Sequence, residues 1–205
     1  PGPFSWSSTR CVIELGAGLG TVGILAAMLG APRVLITDLP QVCAHMQKNI
    51  DANVAMHPFI ERTPPIMLFF LLTPAARLQA AALPWGPDGD DACRRLRDDT
   101  DVILASDVVY WECLFEPLLY TMRTLMRPAE NGRPATTLYM SQHRRRKQDK
   151  RFSIMARKYF DVQEVFSVKS DQLKSNICVT KFQLKPGKGI ALPSPIVNIP
   201  EQNCL

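Results

Sequence analysis

Residues 10–38, RCVIELGAGLGTVGILAAMLGAPRVLITD, constrain the fold more than any other stretch of this 205-residue chain. Residues 11–15 are an apolar run too short for a helix and typical of a strand buried in a parallel sheet. Gly16, Gly18 and Gly20 follow directly. Glycine reaches backbone angles, and permits a closeness of ligand, that a Cβ blocks. Residues 21–29 are apolar and rich in alanine, and Gly30 is a helix stop signal. Residues 33–37 are a second apolar strand with Asp38 at its carboxyl end. A βαβ unit of this kind sets glycine amides beside one part of a nucleotide-like ligand and a carboxylate beside its ribose hydroxyls.

Two ligand classes use that geometry. A dinucleotide site wants G-x-G-x-x-G, with the third glycine letting the helix pack close to the strand. Counted from Gly16, the third position falls on Thr21, and that fingerprint is not met. The pattern is instead G-x-G-x-G preceded by Glu14. It resembles motif I of the S-adenosylmethionine-dependent methyltransferases of the seven-strand, Rossmann-like fold.

A second string lies further on. Residues 101–106, DVILAS, read as the fourth sheet strand, and Asp107-Val-Val-Tyr110 follows. This D-x-x-Y, with WECLFEPLLYTMRTL after it, resembles the corresponding segment of the family-16 protein methyltransferases, which include lysine methyltransferases of chaperones and elongation factors. In Rossmann-like sheets ligands sit at the carboxyl ends of strands near the switch in strand order. Both motifs stand at such ends, on strands that neighbour one another in these sheets. The resemblance covers residues 10–184. It implies a mostly parallel sheet in a three-layer α/β/α sandwich with one antiparallel strand near an edge. The domain is expected over residues 1–184, with a flexible proline-rich tail over 185–205.

Between the motifs, residues 40–53 read as a helix whose apolar face is Val42, Met46 and Ile50. Asn49 and Asn53 match a recurrent N-x-x-x-N of the resembled family and are read as surface polar residues and a helix cap. Residues 54–82 are broken by Pro58, Pro64, Pro65 and Pro74, and residues 66–72 are either a buried strand or an inserted apolar segment. Residues 77–83 are the candidate third strand, with Trp85-Gly86 after it. The lead, with Phe4 and Trp6, is short for the family, and Trp6 reads as a surface residue or a stand-in for an upstream aromatic. The run from His143 to Lys147 is a solvated loop and helix start, or a patch for phosphate or an acidic surface. Phe152, Met155 and Tyr159 form a core stripe. Residues 162–168 and 176–184 form an antiparallel pair.

Composition narrows the class further. The hydrophobic share of 46% and charged share of 21% are those of a globular chain, and the net charge of +5 does not establish nucleic-acid binding. Six cysteines without a C-x-x-C pair favour reduced thiols in an intracellular protein over a zinc site or a disulfide framework. The longest apolar run is too short to span a membrane.

The resemblance implies the following roles for the site residues. Gly16, Ala17 and Gly18 take the methionine end of S-adenosyl-L-methionine, and Asp38 takes the ribose hydroxyls. Trp85 and Ser106 lie near the adenine. Glu14 braces the loop or reaches the cofactor's amino group. Asp107 and Tyr110 are the candidate catalytic residues. Asp107 orients the acceptor amine or attracts its ammonium, or else caps the next helix. Tyr110 lines the acceptor channel, or else packs under that helix. The expected activity is methyl transfer to a lysine of a protein substrate by a monomer in the cytoplasm or also the nucleus, with no metal, nucleic acid or membrane. Methylation of another acceptor, or a non-catalytic interaction module, are the alternatives.

Overall fold

The computed structural model describes residues 6, 8–57, 60–62, 76–144, 148–170 and 175–186. The expectations for Phe4, for residues 66–72, for residues 145–147 and for the tail beyond residue 186 lie outside the described residues. The chain divides into two compact units, Pro1–Leu83 with Asp99–Leu104, and Pro84–Asp98 with Ala105–Leu205.

The first unit is the βαβ stretch and its continuation. Its elements are β1 (Val12–Leu15), α1 (Thr21–Met28), β2 (Arg33–Asp38), α2 (Pro40–Met56), β3 (Ile60–Arg62) and β4 (Ala76–Ala82). All four residues of β1 are buried, as a strand covered on both faces requires. β1 runs parallel to β2, β2 to β4, and β4 to β3. On its other side β1 neighbours β5 (Val102–Ser106), whose first three residues belong to this unit. The Cys11 carbonyl accepts from the N–H groups of Asp101 (3.1 Å) and Val102 (3.3 Å), which fixes that join. α1 buries Gly23, Ile24, Ala26 and Ala27, and α2 buries Met46 and Ile50. Val42, expected on the same face, is only half-buried. Pro40 sits in the first turn of α2, where the missing N–H costs nothing. Trp6 is not a loose surface residue. It is half-buried, and its Nε1–H donates to the Leu29 carbonyl just past α1 at 3.0 Å.

The second unit holds α3 (Asp90–Arg97), α4 (Phe115–Leu125), β6 (Thr137–Arg144), α5 (Gln148–Ala156), β7 (Phe160–Ser170) and β8 (Ser175–Leu184). β8 lies between β6 and β7 and is antiparallel to both. α4 buries Phe115, Leu118, Leu119, Met122 and Leu125, a helical spacing. It stops there because Arg127 precedes a proline and is biased to extended backbone. Four fully buried rings form an edge-to-face chain: Phe115–Phe152 (5.4 Å), Phe152–Phe182 (6.5 Å) and Phe182–Phe160 (6.2 Å between centroids). Of the expected stripe, Phe152 is core, while Met155 and Tyr159 are half-buried, Tyr159 under the Arg123 guanidinium at 4.0 Å.

Eight strands are described where seven were expected; β3, three residues long, is the addition. Among the described residues no helix is long and apolar enough to cross a membrane, and no cluster of His, Cys, Asp and Glu could hold a metal ion. Cys11, Cys43, Cys93 and Cys178 are free thiols. Cys113 is disulfide-bonded, which departs from the expectation of reduced thiols at that position.

Phe182 joins two neighbours in the ring chain, so its truncation opens a cavity in the middle of that core. Phe182→Ala is expected to destabilise the protein by about 3–5 kcal/mol. Urea unfolding followed by far-ultraviolet circular dichroism measures the loss.

Candidate active site

The turn after β1 is drawn tight by the end of β2. Gly16, Gly18 and Gly20 all have left-handed backbone, with φ of 61°, 57° and 77°. The Ala17 N–H donates to the Thr37 carbonyl (3.0 Å), and the Gly20 N–H to the Ala17 carbonyl (2.8 Å). Asp38 holds the loop with its side chain: Oδ2 accepts from the Gly18 N–H and Oδ1 from the Leu39 N–H, each at 2.7 Å. A Cβ built on Gly18 would meet nothing within 4 Å. The loop therefore presents a backbone surface with open space before it, next to a carboxylate, and the residues present fit a nucleoside-bearing cofactor. Each Asp38 oxygen accepts one backbone N–H and keeps acceptor capacity for a hydroxyl. Asp38→Ala would release the loop as well as remove the carboxylate, so it does not isolate a ribose contact.

Glu14 is 2% exposed, and its Oε2 accepts from the Gly23 N–H at 2.7 Å. This bond ties Glu14 to the first turn of α1, just after the glycine loop. The Thr37 hydroxyl donates to the Glu14 carbonyl at 2.6 Å, which joins β1 to β2 at the same level. Burial pushes the Glu14 carboxyl up to about 7, against the lowering effect of the Gly23 and Val22 N–H groups.

Gly23 was missed in the sequence. A Cβ there would stand 2.7 Å from Glu14 Oε2 and 2.7 Å from Ile36 Cγ1, so only glycine lets α1 lie this close to β1 and β2. Counted from Gly18 the chain reads Gly18-Leu-Gly20-Thr-Val-Gly23, which is the G-x-G-x-x-G spacing. The spacing starts at Gly18, not at Gly16. The close-packing position is glycine after all, so this spacing does not separate the two ligand classes.

Asn49 was also undervalued. Its Nδ2 donates to the Leu19 carbonyl of the glycine loop at 2.7 Å. Asn53 is not the helix cap, a place His57 takes; its Nδ2 donates one turn back to the Asn49 carbonyl at 2.8 Å.

The remaining candidates lie in the second unit. Trp85 is half-buried and precedes Gly86, whose φ of 89° and ψ of −158° suit glycine alone. The Gly86 N–H donates to the buried Thr121 hydroxyl at 2.9 Å, and a Cβ on Gly86 would lie in contact with Pro117 Cβ at 3.4 Å. Both partners belong to α4, which thus clamps the Trp85 turn.

Ser106 and Asp107 are exposed at the end of β5. Asp107 has φ of 54°, a left-handed conformation uncommon outside glycine and best tolerated by Asn and Asp. Its N–H is tied to the Ser141 carbonyl at 2.9 Å. Buried Val108 and Val109 hold the string down and leave Tyr110 exposed. Its ring meets the exposed Trp111 ring at 6.4 Å and 69°. Asp107 caps neither the 3-10 turn Glu112–Leu114 nor α4, since Trp111 and Leu114 hold those positions without side-chain caps. At 46% exposure Tyr110 does not pack under the helix. Glu112, next along, is ion-paired with Arg151 of α5.

A family model described as lysine methyltransferase matches residues 3–159. The chain belongs to this family. Among similar proteins, the protein-lysine methyltransferase METTL21E of Mus musculus is 32% identical over 163 residues, 80% of this chain and 57% of the relative. The protein N-lysine methyltransferase METTL21A of Danio rerio is 34% identical over 157 residues, 75% and 59% of the two chains. EEF1A lysine methyltransferase 3 of Xenopus tropicalis is 37% identical over 117 residues, 57% and 42%. The chain thus spans about half the length of the curated relatives it matches. Among solved structures, the N-methyltransferase NodS of Bradyrhizobium japonicum, in complex with S-adenosyl-L-homocysteine, aligns with a TM-score of 0.53 at 10% identity, covering 86% of this chain and 79% of that one. The PH0226 protein of Pyrococcus horikoshii aligns with a TM-score of 0.53 at 14% identity, covering 86% and 82%. These likenesses show the fold: Rossmann-like, with a mostly parallel sheet and an antiparallel strand near one edge.

The Glu14 carboxyl gives a pH test. Its value in the folded protein, about 7, lies above the ordinary 4.5, so between those limits the folded state holds more proton than the unfolded one. Stability is then highest at the acid end of that window and falls as pH rises towards 7. Glu14→Gln is expected to flatten the slope, removing about 3 kcal/mol of pH dependence at most. Urea midpoints of both proteins at pH 5, 6 and 7.5 check this.

Proposed function

We propose that this chain is an S-adenosyl-L-methionine-dependent methyltransferase acting on the amine of a lysine in a protein substrate. The observation that carries the reading is the lysine methyltransferase match over residues 3–159, which takes in both the glycine loop and the Asp107–Tyr110 string. The open space before Gly18, beside the Asp38 carboxylate, supports it from the geometry.

When bound, the cofactor supplies an electrophilic methyl group on a sulfonium and leaves as a neutral thioether. The chain's own residues do the placing. Gly16, Ala17 and Gly18 take the methionine end, Asp38 the ribose hydroxyls, and Trp85 and Ser106 the adenine side. A lysine ammonium has no lone pair, and its ordinary pKa of ~10.4 keeps it charged at neutral pH. Asp107 attracts the ammonium by charge, and the Tyr110 ring and hydroxyl give the amine an apolar wall and one hydrogen-bonding partner once its proton has left. The strained Asp107 backbone supports this reading, because such strain persists where a side chain must be aimed in one direction.

The test uses two variants that change little else. Asp107→Asn keeps a residue that tolerates left-handed backbone and removes the charge. Tyr110→Phe keeps the ring and removes the hydroxyl. Each is expected to lower turnover at least about tenfold at saturating cofactor, the scale of one lost hydrogen bond to a charged group. Binding of S-adenosyl-L-homocysteine by calorimetry should stay at the parental value. Methylation of a protein substrate at the parental rate by both variants would overturn the acceptor assignment. Absence of cofactor binding in the parent would overturn the reading as a whole.

A further inference from the structure

The sheet holds the glycine loop at Ala17 and Gly18. Ala17 is tied to the Thr37 carbonyl and Gly18 to the Asp38 carboxylate, both at the end of β2. Leu19 comes next, between two left-handed glycines, and its side chain is 62% exposed. Packing therefore does little to fix the Leu19 peptide, and flanking glycines lower the barrier to its reorientation. What holds it is the Asn49 Nδ2 donating to its carbonyl at 2.7 Å, thirty residues away in sequence.

Asn49 is well placed to do this. It stands on α2 between Met46 and Ile50, both fully buried, so its helix is anchored independently of the amide. Asn53 Nδ2 lies 3.5 Å from Asn49 Oδ1 and 2.8 Å from the Asn49 carbonyl. A carbonyl accepts only from the NH₂ end of an amide, so the Leu19 carbonyl itself sets the orientation of the Asn49 side chain, and the Asn53 contact to Asn49 Oδ1 is at the limit of hydrogen-bonding distance.

We propose that Asn49 is a positioning residue that sets the shape of the cofactor loop, so that α2 as well as the sheet preorganises the site. This rests on the reading that the Gly16–Gly20 loop holds the cofactor. A loop fixed beforehand loses less conformational freedom on binding, and the gain appears as affinity. The loop contacts the cofactor alike in the ground and transition states, so the effect falls on KM and not on kcat.

The test compares Asn49→Ala, Asn49→Asp, Asn53→Ala and Gly18→Val with the parent by calorimetry with S-adenosyl-L-homocysteine, by thermal melting and by steady-state kinetics. Asn49→Asp keeps the shape and removes the donor. Both Asn49 variants are expected to lose about tenfold in affinity and to raise the cofactor KM by the same factor, with kcat unchanged. Asn53→Ala leaves the Leu19 bond in place and serves as the control: it is expected to melt no higher than the Asn49 variants yet bind within about twofold of the parent. Parental affinity in both Asn49 variants, or an equal loss in Asn53→Ala, overturns the proposal. Gly18→Val separates this from the loop reading. If it loses binding while the Asn49 variants keep it, Asn49 alone is excluded. If it binds as the parent does, or the parent does not bind, the loop reading falls and the proposal with it.

Discussion

The hydrogen bond from the Gly23 N–H to the buried Glu14 carboxylate is the point on which the first unit turns. A carboxyl group removed from water is costly unless a donor meets it or it stays protonated. Here both remedies operate, since one helix N–H is aimed at Oε2 and burial raises the proton affinity towards neutrality. The bond exists only because residue 23 has no side chain. With a Cβ there, α1 would have to lift off Glu14 and Ile36 together. The seat of α1 then fixes where the glycine loop ends, and the Thr37 hydroxyl on the Glu14 carbonyl fixes where β2 stands beside it. Asp38, the next residue, is thereby delivered to Gly18 within hydrogen-bonding distance.

Much of this was legible in the chain. The strand–glycine–helix–strand string is local, and its buried β1, its three left-handed glycines and its terminal Asp38 follow from spacing alone. Residues whose role depends on contacts far along the chain were harder to read. Asn49 looks like any polar helix residue until Leu19 is placed beside it. Gly23 reads as one more small residue in an alanine-rich helix until Ile36 comes within contact of its missing Cβ. Trp6 gave no sign of its acceptor at Leu29. Residues 54–82 carried too many prolines for a period to show, and β3 was not anticipated.

In the second unit the same division holds. D-x-x-Y was recognisable as a string, but nothing in it announced that Asp107 adopts left-handed backbone or that two valines would be driven inward while the aromatic pair stays outside. Thr121 is a similar case. A threonine inside an apolar helix is ordinary in sequence, yet this one receives the N–H of the glycine after Trp85. α4 therefore serves two loops at once, following one in sequence and clamping the other through Pro117 and Thr121.

The order β6-β8-β7 has a consequence for how the protein is made. The strand that joins β6 to β7 is made after both of them. Until residues 175–184 emerge, the edges of β6 and β7 that face β8 have no partner, and β7 carries Val165, Phe166 and Val168 towards solvent. A nascent chain paused before Ser175 thus offers two unsatisfied strand edges, the kind of surface that recruits chaperones or other copies of itself. The irregularity in the ladder between Glu164 and Phe166 interrupts the flat edge at its most apolar point. It guards the strand once that ladder has formed and β7 is the outer strand next to β8.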